Sequence, residues 1–193
     1  IERHVILTDA ARMPATTLKN AVSYEDWIAG EPDDAPWEIV VENAACGMFF
    51  TSGTTGNPKG VVYSHRSNVI HALAAAQPDM LGLASRDTIL PVVPMFHANG
   101  WSIALTAPMV GATMVMPGAK MDGASIHEML TRFRVTVSAA VPTVWLMLLQ
   151  HLEQTGATLP DLKRVVIGGS AAPRSMTKTF RDIHDVEVLH AWG

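Results

Sequence analysis

The segment from Thr51 to Gly60 reads Thr-Ser-Gly-Thr-Thr-Gly-Asn-Pro-Lys-Gly. Hydroxyls crowd its first half, at Thr51, Ser52, Thr54 and Thr55. Gly53, Gly56 and Gly60 carry no Cβ, so the backbone there can bend tightly and come close to a ligand. Amide and hydroxyl donors on such a loop form a neutral cradle for oxyanions. Lys59 adds a mobile point charge suited to phosphate. The combination reads as a grip on a polyphosphate. It is not the P-loop of the common nucleotide triphosphatases, which ends in Gly-Lys-Ser/Thr. Here Pro58 precedes Lys59 and Gly60 follows it. Pro58 has no N–H to offer an oxygen, and Gly60 has no hydroxyl for a metal.

Three further segments stand out downstream. They are Pro94-Met95-Phe96-His97-Ala98-Asn99-Gly100-Trp101, Gly168-Gly169-Ser170-Ala171-Ala172-Pro173 and His190-Ala191-Trp192-Gly193. With the Thr51–Gly60 loop and its continuation Val61-Val62-Tyr63-Ser64-His65, they resemble in order and spacing the adenylate-forming acyl-CoA synthetases, relatives of firefly luciferase and of the peptide-synthetase adenylation domains. The resemblance covers most of the chain and is weakest before residue 40.

The resemblance implies an enzyme that joins a carboxylate to ATP, releases pyrophosphate, and passes the acyl group from acyl-AMP to coenzyme A. Thr51, Ser52, Gly53, Thr54, Thr55 and Gly56 would hold the β- and γ-phosphates, and Lys59 would follow the departing pyrophosphate. Thr51 matches a hydroxyl that helps to hold Mg²⁺. His97 matches the active-site histidine near the carboxylate and α-phosphate; among the eight histidines of the chain only its motif sets it apart. His97 and Lys59 are therefore the catalytic candidates. Trp101 matches a tryptophan that gates the acyl tunnel in fatty-acid members. Gly168 and Gly169 would face the acid, and Gly169, Ser170, Ala171, Ala172 and Pro173 would form the adenine-side loop. Trp192 would stack on adenine, with Gly193 close to the acyl-adenylate. ATP or AMP, Mg²⁺ and CoA are the implied cofactors, and a fatty or similar apolar acid the implied substrate. The alternatives are a fatty-acyl-AMP ligase serving a carrier protein and a non-catalytic nucleotide-binding module.

Several elements must position these residues. Short apolar runs alternate with helical stretches from Ala45 onward, which predicts an α/β fold with a mainly parallel sheet and flanking helices, part of the large domain of an adenylate-forming enzyme. Strands are expected at Val5–Leu7, Cys46–Phe50, Val61–Tyr63, Thr88–Val93, Ala112–Met116, Val135–Ala139, Lys163–Ile167 and Val186–Leu189. Helices are expected at Tyr24–Trp27 behind Ser23, at His65–Ala76 behind Ser64, and at Ala98–Val110, Ser125–Phe133, Thr143–Gln154 and Pro173–Ile183. In a parallel sheet all four motif-bearing loops would open along one edge, where ligands of such sheets bind. Residues 1–44 read as an irregular lead-in and 45–193 as an incomplete AMP-binding subdomain. By the resemblance, the family continues past Gly193 into a hinge and a C-terminal domain, so the 193 residues alone should form no acyl-CoA.

Composition narrows the partners. The apolar fraction is 48% and the charged fraction 17%, which excludes a disordered chain. Lys and Arg number 14 against 18 Asp and Glu, so no basic excess draws the chain to nucleic acid. No apolar run has membrane-spanning length. The single cysteine, Cys46, fits a reducing compartment and a cytoplasmic location. The expected partners are the small-molecule acid, ATP and CoA, and a homodimer is left open.

Overall fold

A computed structural model of the chain describes residues 2–51 and 56–192. The chain divides into two compact units, Ile1–Val40 and Val41–Gly193. The first holds strands β1 (His4–Ile6) and β2 (Ala21–Ser23), paired in parallel, and a short helix α1 (Tyr24–Ile28). Ser23 caps that helix as its position before two acidic residues predicts: its Oγ accepts the Asp26 N–H at 3.2 Å.

The second unit opens with an antiparallel ribbon of β3 (Ala45–Thr51) and β4 (Lys59–Ser64). This overturns the expectation that the polyphosphate loop leaves a strand of the parallel sheet. The physical reason is loop length, since a parallel return needs a crossover of about a dozen residues or more. The segment between Thr51 and Lys59 is too short for that and turns the chain straight back. Ser64 then caps α2 (His65–Ala75) in a reciprocal pair with Ser67: each hydroxyl accepts the other residue's N–H.

The remaining strands form one parallel sheet. They are β5 (Thr88–Pro91), β6 (Thr113–Met114), β7 (Val137–Ala140), β8 (Arg164–Ile167) and β9 (Glu187–His190), in the order β6-β5-β7-β8-β9. Between them run α3 (Ala98–Trp101), α4 (Ile103–Val110), α5 (Gly123–Arg132), α6 (Pro142–Thr155) and α7 (Arg174–His184). Successive side chains leave opposite faces of the sheet, and the core divides accordingly. Leu90, Ala140, Val165 and Ile167 join the α5, α6 and α7 residues Ile126, Trp145 and Phe180. Ile89, Val137, Ala139 and Val166 join Ala75 of α2 with Ile103 and Ala107 of α4. The Trp145 indole N–H is buried yet satisfied, donating to the carbonyls of Ala140 at 3.1 Å and Val166 at 3.3 Å. At the amino end of the strands, the Asp87 carboxylate accepts from Thr136 Oγ1 (2.9 Å), the Ala84 N–H (2.9 Å) and Arg164 (3.5 Å).

Two predicted helices differ in their starts. The α5 helix begins at Gly123, capped by Asp122, whose carboxylate accepts the Ser125 N–H at 3.0 Å and its hydroxyl at 2.8 Å. Those two bonds hold the exposed Asp122 carboxyl below its ordinary value. The expected helix over Ala98–Val110 is broken: every residue from Ala98 to Ser102 has φ between +47° and +65°. A right-handed helix resumes only at Ile103. No described helix is long and apolar enough to cross a membrane.

Candidate functional site

The strand register fixes what meets at the carboxyl edge of the sheet. Pro91 pairs with Ala139, Ala140 with Ile167, and Ile167 with His190. The loops after β5 and β8 and the segment after β9 therefore leave the sheet side by side. Three of the four motif-bearing segments converge there, as expected.

The segment after β5 folds through two tight turns. The His97 N–H donates to the Pro94 carbonyl at 3.1 Å, and the Gly100 N–H to the His97 carbonyl at 3.0 Å. The left-handed run follows: φ is +47° at Ala98, +54° at Asn99, +56° at Gly100, +58° at Trp101 and +65° at Ser102. For residues with a Cβ this conformation costs about 1–2 kcal/mol each, so neighbouring contacts must hold it. His97 is exposed at the start of the run and Gly100 is buried. The Trp101 indole lies against Gly168: a Cβ at Gly168 would stand 2.9 Å from the indole edge. Gly168 must therefore remain without a side chain for Trp101 to occupy this place. Trp101 also packs on the core layer containing Ile89, Ala139 and Val166.

The loop after β8 is tied at both ends. The Gly168 N–H donates to the Ala140 carbonyl at 3.4 Å. The Ala172 N–H donates to Nε2 of His190 at 3.4 Å. Gly169 between them has φ +80°, which favours glycine. The amides of Gly169, Ser170 and Ala171 donate to no group among the described residues. Ser170 and Ala171 are exposed. After β9 the Ala191 N–H donates to the Ile167 carbonyl at 2.8 Å, and Trp192 follows with 98% of its surface in solvent.

At the tip of the ribbon, Thr51 stands opposite Lys59. Thr51 Oγ1 donates to the Lys59 carbonyl at 3.5 Å, and both side chains are exposed. Gly56 is exposed as well. Ser52, Gly53, Thr54, Thr55 and Gly193 lie outside the described residues. No hydrogen bond or ring contact among the described residues joins Thr51 or Lys59 to His97, Trp101 or the Gly168–Pro173 loop.

A cavity of about 530 Å³ lies between the ribbon and the β5 loop. Its walls include Cys46 and Phe49 of β3, Asn68 of α2, Asn99 of the left-handed turn, and Leu105 and Met109 of α4. The lining is mostly apolar; Asn68 is bonded to Cys46, its Nδ2 donating to the sulfur at 2.9 Å. Sequence reasoning missed this chamber. The available signal was on α4, where Ile103 and Ala107 share the buried face and Leu105 and Met109 share another, each pair four residues apart. His190 was missed as a side chain in its own right, although it opens the last motif.

The family model described as "AMP-binding enzyme" matches residues 1–193. The chain is 50% identical over its whole length to a medium-chain-fatty-acid–CoA ligase of Ectopseudomonas oleovorans, covering 35% of that protein. It is 40% identical over its whole length to a 3-methylmercaptopropionyl-CoA ligase of Ruegeria pomeroyi, covering 36% of it. The chain thus spans about a third of the length of these curated relatives. Among solved structures, the O-succinylbenzoate coenzyme A synthetase of Bacillus subtilis in complex with ATP and magnesium ion matches with a TM-score of 0.70 and 25% identity, over 90% of this chain and 35% of that one.

Proposed function

The chain belongs to the AMP-binding enzymes, and from that premise we propose that the protein carrying it activates a fatty or similar apolar carboxylic acid with ATP and transfers the acyl group to CoA. A carboxylate oxygen attacks the α-phosphorus, the bond to pyrophosphate breaks, and acyl-AMP forms. The CoA thiolate then attacks the acyl carbon and AMP leaves with the bonding electrons. The observation that carries the choice of acid is the apolar 530 Å³ cavity, which reaches Asn99 in the turn bearing His97 and Trp101. The two curated relatives are named for a medium-chain fatty acid and for 3-methylmercaptopropionate, both consistent with such a chamber.

Joining two anions requires donors that screen their repulsion. Lys59, exposed at the ribbon tip, would follow the departing pyrophosphate. The amides of Gly169, Ser170 and Ala171, without partners among the described residues, would offer donors on the adenylate side. The uncovered face of Trp192 is free to stack on a purine. His97 would act near the carboxylate and the α-phosphate, and Trp101, whose indole lies against Gly168, would gate the acyl side. Pro173 ends the adenine-side loop.

The described residues contain no cluster of three or more His, Cys, Asp or Glu able to hold a metal. Mg²⁺ would arrive with the triphosphate, since it keeps few protein ligands and several from phosphate and water. Thr51 would supply a hydroxyl, and the ion when bound would neutralise charge on the phosphate oxygens.

ATP–pyrophosphate exchange in the intact protein, driven by a series of carboxylic acids, tests the reading. Exchange with apolar acids is expected, and Lys59→Ala should lower it by about a hundredfold without changing the melting temperature. Exchange unaffected by Lys59→Ala would overturn the role of the loop. Thioester formation on adding CoA separates a CoA ligase from an enzyme that stops at acyl-AMP.

A further inference from the structure

The three amides of the loop after β8 that lack partners among the described residues can serve a ligand only if the loop holds them in place. Its two ties differ in kind. The first, Gly168 N–H to the Ala140 carbonyl, extends the backbone ladder of the sheet. The second, Ala172 N–H to His190 Nε2, depends on a side chain. His190 is the last residue of β9, an edge strand, and its register partner Ile167 immediately precedes the loop. The imidazole therefore spans from the end of one strand to the far end of the loop leaving its neighbour. Nε2 accepts this bond through its ring lone pair.

We propose that His190 is a positioning residue for nucleotide binding: its Nε2 anchors the Ala172 amide and thereby sets the Gly169–Ala171 amides. This rests on the adenylate-forming reading above. The role is confined to binding, because His190 acts through the loop and not on the reacting atoms. A side chain that accepts a hydrogen bond at similar reach should replace it, and one that cannot accept should not.

The test compares His190→Leu with His190→Gln in the intact protein. In ATP–pyrophosphate exchange, His190→Leu should raise the KM for ATP between about twofold and about tenfold, the span of one neutral hydrogen bond. Its kcat should stay near wild type. His190→Gln should restore the KM, because its amide oxygen can accept the Ala172 N–H. Equal behaviour of the two variants, or a loss confined to kcat, overturns the proposal. Hydrogen exchange at the Ala172 amide gives a readout that needs no activity. Exchange should speed up in His190→Leu and remain slow in His190→Gln; identical rates in all three proteins overturn the anchor. A wild-type protein inactive with every acid would defeat the proposed function, and the amide measurement would still decide the role of His190.

Discussion

The β3–β4 ribbon and the five-stranded sheet are built from similar residues and reach opposite environments. Ile89, Val137, Ala139 and Val165 of the sheet are wholly buried. In the ribbon, Phe50 is 68% exposed and Val62 is 54% exposed, although β3 and β4 are as apolar to read. The sheet is held by side-chain burial on both faces, with backbone bonds as its ladder. The ribbon is held mainly by its ladder and by one edge-on aromatic pair, Phe49 and Tyr63, at 5.5 Å. The chemistry is divided in the same way. Loops at the sheet edge carry the left-handed turn, the amide run and Trp192, whereas Thr51 and Lys59, proposed above for the polyphosphate, occupy the end of the less buried element. Elements with few buried contacts open at lower free energy, which suits the pyrophosphate-releasing role proposed for this segment.

Trp145→Ala sets the upper end of the contrast. Trp145 is fully buried, meets Phe180 edge to face at 5.6 Å, and donates its indole N–H to β7 and β8 carbonyls. Removing it should cost about 3–5 kcal/mol in denaturant unfolding. A loss below about 1 kcal/mol would show that the sheet does not depend on burial as its packing indicates.

Asp87→Ala comes next. Asp87 gathers the Ala84 amide, the Thr136 hydroxyl and Arg164 at the amino end of β5, β7 and β8. Arg164 Nε is already buried without a partner among the described residues. Losing the carboxylate leaves more of the guanidinium uncompensated, and about 2–3 kcal/mol of stability should go with it. This network lies at the end of the sheet opposite the candidate site. The KM for ATP should therefore hold while stability falls, the reverse of the outcome expected at His190.

The sheet was legible in the sequence because its rules are local and redundant. Apolar runs, capping residues and strand–helix alternation all gave the same answer, and Ser64 and Ser23 cap where their spacing predicts. The ribbon was misread because Cys46–Phe50 looks the same whether it pairs with one neighbour or lies between two. The length of the Thr51–Lys59 connection held the answer. The left-handed turn was only partly legible: Asn99 and Gly100 tolerate positive φ, but Ala98 and Trp101 carry no sign of it. The placement of the candidate loops at one sheet edge was legible where each motif follows a predicted strand. It was not where the partners are distant in sequence, as with the cavity between β3 and α4 or the bond from Ala172 to His190.

Val62→Thr is expected to have the smallest effect and tests the ribbon from its own side. Val62 pairs with Met48 in the ladder, and both side chains are more than half exposed. The transfer term that dominates at Trp145 is mostly absent, because the methyl groups already meet water. Threonine keeps the β-branched shape that suits a strand and adds a hydroxyl that solvent can satisfy. Stability should change by less than about 0.5 kcal/mol, read as the shift of the urea midpoint at constant slope. A loss approaching that of Asp87→Ala would mean that the ribbon face is covered in the intact protein. The contrast between a buried sheet and an exposed ribbon would then belong to these 193 residues alone.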